Sequence, residues 1–198
     1  MPHVIRTFFM MLLCIPFMIP AQAQDSAQPQ KETTTTPPRV VLETNLGDIT
    51  LELNPEQAPI TVANFLQYVD AGFYDDTIFH RVIAGFMIQG GGMTADFTRK
   101  QTQAPIVNES TNGLRNQRGT IAMARTSAPH SATSQFFINL VNNASLDGRP
   151  GTPGYAVFGK VVSGMEVVDR IATVNTGRKF GHADVPLTDI IIKKAKRQ

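Results

Sequence analysis

Apolar and polar residues alternate in several short runs of this chain, and they follow a helical period in only two. Ile49, Leu51 and Leu53 alternate with Asp48, Thr50 and Glu52, the spacing of a strand with one wet face. Residues 39–44 are equally β-rich, and Asn45, Leu46 and Gly47 join the two runs into a predicted hairpin. Val62, Phe65, Leu66 and Val69 then recur at helical spacing behind Pro59, and Gly72 stops the pattern; this predicts an amphipathic helix of about three turns. Residues 93–118 are polar and irregular, with a short strand expected around 104–108. Residues 119–124 and 134–140 read as strands. In the second, Gln135, Phe137 and Asn139 share one face and Phe136, Ile138 and Leu140 the other, so polar and aromatic groups lie side by side where a plain core strand needs neither arrangement. A strand over 156–162, a short helix over 165–171 and a last strand over 187–195 complete the reading. Many strands, few helices and no βαβ rhythm predict an antiparallel barrel or sandwich.

The first residues belong to a different class. A single positive charge at Arg6, an apolar run from Phe8 to Ile19 and the small-residue site Ala21-Gln22-Ala23 form a secretory signal peptide over residues 1–23. The apolar run is too short to span a bilayer and Pro16 interrupts it, so no membrane anchor is expected after cleavage. Residues 24–38 are polar and carry three prolines with no aromatic or large aliphatic residue, a composition that predicts a disordered linker. The folded domain is expected over residues 39–198, and an exported chain places it in the periplasm, or outside the cell if the source has no outer membrane. The only cysteine, Cys14, leaves with the signal peptide, so the domain relies on its core without disulfides. The net charge of +2, lowered by one on loss of Arg6, gives no basis for binding nucleic acid.

Candidate chemistry concentrates in one stretch, YDDTIFHRVIAGFMIQGGG, from Tyr74 to Gly92. Arg81 and Gln89 stand there among Phe79, Val82, Ile83, Phe86 and Met87, a mixture suited to a shallow apolar surface with a few fixed hydrogen-bond donors. No nucleophile elbow, nucleotide fingerprint or metal spacing occurs elsewhere, and neither cofactor nor metal is expected. The stretch resembles the cyclophilin peptidyl-prolyl isomerases at Tyr74, Thr77, Phe79, His80, Arg81, Val82, Ile83, Phe86, Met87, Gln89, Gly90 and Gly91.

That resemblance implies a mainly β fold, a closed eight-stranded antiparallel β-barrel capped by two α-helices. It also implies catalysis of X-Pro cis/trans rotation in proline-containing segments of exported proteins. Arg81 matches the family's catalytic arginine, and Gln89 and Gln135 match the amides that hold the substrate backbone and orient that arginine. Phe86, Met87, Phe137 and Leu146 match the walls of the proline pocket. Ala124 and Arg125 match the pair that meets the peptide in extended form. Tyr155 stands where many eukaryotic members have His, and His80 is expected to be structural. Ser145 occupies the position where cyclosporin-sensitive members have Trp, and the chain has no Trp, so weak cyclosporin binding is expected. A monomer is expected. A non-catalytic holdase using the same groove is the alternative, with Arg81 discriminating the two, because a pure binder has no use for a guanidinium aimed at a twisted amide. A barrel carrying a small apolar ligand would need an open interior, against the many large side chains available to fill it.

Overall fold

The computed structural model describes residues 1–3 and 36–198. The expected signal peptide, apart from its first three residues, and the linker up to residue 35 lie outside the described residues. Residues 36–198 belong to one compact unit.

That unit opens with the predicted hairpin, β1 (Arg39–Thr44) and β2 (Gly47–Leu53). Ile49, Leu51 and Leu53 point inward with essentially no exposure, as their alternation demands. Helix α1 (Pro59–Asp70) follows with Pro59 in its first turn and Val62, Phe65, Leu66 and Val69 buried. Ala58 cannot cap this helix through its side chain. Glu109 does so from 48 residues away, its carboxylate accepting from Thr61 N at 2.8 Å, Thr61 Oγ1 at 2.6 Å and Ile60 N at 3.1 Å. Free amide groups at a helix N-terminus favour an anion there, and here the anion comes from the long polar loop.

Next come β3 (Thr77–Ile78), β4 (Arg81–Ile83), β5 (Met87–Gly90), β6 (Thr120–Met123) and β7 (Phe136–Asn139). A single 3₁₀ turn, Ala144–Leu146, precedes β8 (Val157–Ser163) and helix α2 (Met165–Ala172). The chain ends in β9 (Thr176–Lys179), β10 (His182–Pro186) and β11 (Ile191–Arg197).

Nine of these strands form one curled antiparallel sheet in the order β3-β11-β1-β2-β8-β6-β7-β5-β4, a half-barrel, while β9 and β10 pair separately. The expectation of a closed eight-stranded barrel is therefore corrected. The ladder stays open between β3 and β4, which only Phe79 and His80 separate in the chain. Ile78 N donates to Met93 O and Phe79 N to Ile190 O, each at 2.9 Å. Backbone groups at this seam are thus satisfied without a ladder across it.

Two further expectations change. Around 104–108 there is one isolated bridge, Ile106 to Ala132, instead of a strand. The last strand begins at Ile191, and the β9–β10 hairpin, which sequence analysis does not predict, occupies the segment before it. Inside the sheet, Phe65, Tyr74, Phe136 and Phe158 build an aromatic core in which Phe65 touches the other three rings at centroid distances of 5.2 to 5.7 Å. Among the described residues no helix is long and apolar enough to cross a membrane.

Candidate active site

Strand register assembles the site. In antiparallel strands, directly opposed residues point their side chains to the same face. Arg81 on β4 opposes Gln89 on β5, Gln89 opposes Phe137 on β7, Phe137 opposes Ala122 on β6, and Ala122 opposes Val157 on β8. A single row therefore runs across five strands from a guanidinium, through an amide, to an apolar floor. Beside it lies a second row, Ile83, Met87 and Asn139. The alternate positions Val82, Ile88, Ile138 and Ile121 face the core and are fully buried.

Met87, Ala122, Phe137 and Val157 form an apolar cluster separate from the main core, rimmed by partly buried Phe86, Leu114, Ala124, Leu146 and Tyr155. Tyr155 meets Phe137 edge-on at 5.6 Å. The result is a shallow cup next to the polar end of the row. At that end Gln89 Nε2 donates to Gln135 Oε1 at 3.0 Å, which ties the two predicted amides together. Gln135 fits only because residue 92 is glycine, since a Cβ there would stand 2.5 Å from Gln135 Cγ.

All ten predicted site residues thus fall on one face or its rim, though not with equal freedom. The Arg125 guanidinium is committed: Nε donates to Gly154 O at 3.0 Å and Nη2 to Pro153 O at 2.8 Å in the 146–155 loop, and Nη1 donates to the neighbouring Thr126 O at 2.9 Å. It also lies 4.7 Å from the Tyr155 ring centroid. Arg125 therefore buckles the loop that carries Tyr155, and Ala124 N is used by Gln135 O at 2.9 Å. Arg81, by contrast, is half exposed, and its one ionic partner among the described residues is Asp184 on β10, 3.5 Å from Nε.

Sequence reasoning missed two supports. Asp184 has no local signal, because the hairpin that presents it carries little apolar pattern. The other is a buried asparagine chain beneath the cup. Asn143 Nδ2 donates to Phe86 O at 2.9 Å and Asn139 Oδ1 at 2.8 Å, and Asn139 Nδ2 donates to Thr120 Oγ1 at 3.0 Å and Asn116 Oδ1 at 3.2 Å. It fixes the turn bearing Leu146 to the strand bearing Met87. Its one visible sign is Asn139, a polar residue in an otherwise apolar strand.

His80, beside Arg81, is buried, and its Nδ1 has no partner among the described residues. Burial first, then the charges of His182 and Arg81, hold its pKa down to about 4 from 6.5. The folded protein therefore refuses a proton that the unfolded chain accepts between pH 6.5 and 4. Stability is fully present above pH 6.5 and falls as the pH drops through that window, by up to about 3 kcal/mol. Glu43, Glu52 and Asp70, whose pKa values are lowered by Lys196, Arg39 and Arg197, lose their contributions at lower pH. Urea midpoints at pH 7 and pH 5 are expected to differ more for wild type than for His80→Gln; equal differences would exclude His80 as the cause. No group of three His, Cys, Asp or Glu side chains among the described residues is placed to hold a metal ion.

The model of the family described as cyclophilin type peptidyl-prolyl cis-trans isomerase/CLD matches residues 39–197. A peptidyl-prolyl cis-trans isomerase of Streptomyces antibioticus is 58% identical over 160 residues, covering 79% of this chain and 96% of that protein. Peptidyl-prolyl cis-trans isomerase B of Escherichia coli is 55% identical over 161 residues, covering 78% and 96%. Among solved structures, a cyclophilin type isomerase of Cryptosporidium parvum superposes with a TM-score of 0.68 at 29% identity, covering 81% of this chain and 97% of its own. Another structure of it, determined in the presence of the dipeptide Ala-Pro, gives the same TM-score at 30% identity, covering 81% and 98%. With the matched region spanning the whole sheet and every side chain of the site, the chain belongs to the cyclophilin-type peptidyl-prolyl cis-trans isomerases, enzymes that bind proline-containing peptides.

Proposed function

We propose that this isomerase works through Arg81, which stabilises the twisted prolyl amide while the apolar cup holds the proline ring. The alignment of Arg81, Gln89 and Phe137 in one row carries this reading. The barrier of about 18–20 kcal/mol arises from amide resonance, which is lost as the bond rotates. In the twisted state the nitrogen regains a lone pair, so a donor aimed at it favours the transition state over the ground state. A guanidinium suits the task, being permanently charged with several donors in a fixed plane. With Nε turned toward Asp184, the remaining donors are available to substrate. Gln89 and Gln135 hold the peptide backbone, and Phe86, Met87, Phe137, Leu146 and Tyr155 enclose the ring. Acceleration by five decades requires about 7 kcal/mol from all contributions together. No proton moves, so His80 has no part in the chemistry.

The substrates are X-Pro bonds in exported proteins, reached after removal of residues 1–23, with residues 24–38 as a tether to a catalytic domain over 39–198. The sequence pattern of the leader supports export. Exchange spectroscopy on a short Ala-Pro-Phe peptide tests the reading. Strong acceleration by wild type is expected; binding without acceleration would point instead to a holdase.

Ser145 is exposed on the turn beside Leu146, with neither a large ring nor an indole donor to offer a bulky macrocycle. Cyclosporin is expected to bind weakly, and Ser145→Trp to tighten it by about tenfold or more. Calorimetry showing tight binding by wild type would refute this.

A further inference from the structure

The β9–β10 hairpin reaches Arg81 through Asp184, the 94–98 turn packs on that hairpin through Phe97, and each presents an aromatic ring from a backbone conformation that bulky residues avoid. Phe97 has φ +64 in the 94–98 turn after β5, and Phe180 has φ +52 at the tip of the β9–β10 hairpin. A positive φ on a large side chain is an outlier that needs a reason. Core burial is not that reason, because Phe180 remains 64% exposed. The two rings lie 5.0 Å apart, with His182 5.4 Å from Phe97. Lys179 Nζ stands 5.8 Å from each ring and is held at 2.9 Å by Asp189. An exposed ring backed by a half-buried one, with a polar rim, has the composition of a small recognition patch.

Its position gives the patch a purpose. The hairpin that lifts Phe180 also carries Asp184, whose carboxylate lies 3.5 Å from Arg81 Nε. The turn that lifts Phe97 continues directly from Gln89 through the three glycines 90 to 92. Both supports thus lead back to the polar end of the site. We propose that Phe97 and Phe180 form an apolar shelf at the Arg81 end of the groove that takes a large apolar side chain of the peptide substrate, a few residues from its proline. The enzyme then favours X-Pro bonds flanked by aromatic or aliphatic residues, which unfolded chains expose and folded ones hide. The inference rests on the Arg81 groove being the substrate site.

The test uses matched Ala-Pro peptides carrying Phe or Ser two or three residues before or after the proline. With wild type, Phe is expected to raise kcat/KM about tenfold in at least one position, mainly through KM. Phe180→Gly suits the strained φ and is expected to keep the fold and the activity on Ser peptides while abolishing the Phe preference. Phe180→Tyr is expected to restore it. Equal rates on Phe and Ser peptides by wild type, or an undiminished preference in Phe180→Gly, would overturn the shelf. Loss of activity on every peptide in Arg81→Ala, or its persistence there, tests the groove independently of the shelf.

Discussion

Arg81→Ala is expected to lower kcat/KM for X-Pro peptides by about 100- to 1,000-fold, the cost of removing one preorganised donor from a developing charge, about 2.7–4 kcal/mol. The loss is expected mainly on kcat, because the apolar cup proposed to hold the proline ring is built from other residues. Fold stability changes little, since Arg81 is half exposed and its pair with Asp184 is a surface one, a class worth about 0–1 kcal/mol. Arg81→Lys keeps the charge but not the planar fork, and its rate is expected to lie between the two. Exchange rates and urea midpoints for the three proteins decide the matter. A variant that folds normally, binds peptide and retains full kcat would remove Arg81 from the mechanism.

Phe136→Ala is expected to destabilise the domain by about 3–5 kcal/mol, the range for truncating a fully buried phenylalanine. This ring is fully buried and stands edge-on to Phe65, Tyr74 and Phe79 at 5.7, 5.5 and 6.1 Å. The backbone also closes on it, as a Cβ at Gly91 would come within 2.7 Å of Phe136 Cε1. A cavity so confined has little means of collapsing. For a domain of this size the melting temperature should fall by about 6–20 °C. Urea unfolding with an unchanged slope would attribute the loss to the folded state; a loss below about 1 kcal/mol would mean that the aromatic cluster relaxes to fill the space. Phe136 faces the core while its neighbours Gln135 and Phe137 face the site, so the same truncation reports how firmly the core holds the catalytic face.

How far the sequence reveals this molecule depends on how local each signal is. Strand β2 was legible because its burial alternates with its apolar residues, and helix α1 because Val62, Phe65, Leu66 and Val69 fall on its buried side, whereas β7 is buried on both faces and shows its strand character through composition. The central stretch carries much of the candidate site because β4 and β5 lie within it and oppose Arg81 to Gln89. The β9–β10 hairpin was invisible, since residues such as Arg178, Lys179, His182 and Asp184 give it no apolar alternation. Residues 93–118 resisted reading for a related reason. Their order comes from side-chain hydrogen bonds, with Glu109 on α1, Asn112 on Val157 O and Asn116 accepting a bond from Asn139, and not from a strand. Strand pattern alone left barrel and sandwich open, and the closure implied by the resemblance fails because the backbone near Phe79 is satisfied elsewhere, its amide donating to Ile190 O.

The open seam beside Arg81 also bears on how such an enzyme survives its clients. A long unpaired sheet edge invites another chain to add as a further strand, which is how aggregates propagate. Here the sheet ends in strands of two and three residues, β3 and β4, separated only by Phe79 and His80. A partly unfolded protein delivering a proline to the groove therefore meets side-chain chemistry at its surface and almost no free ladder on which to nucleate.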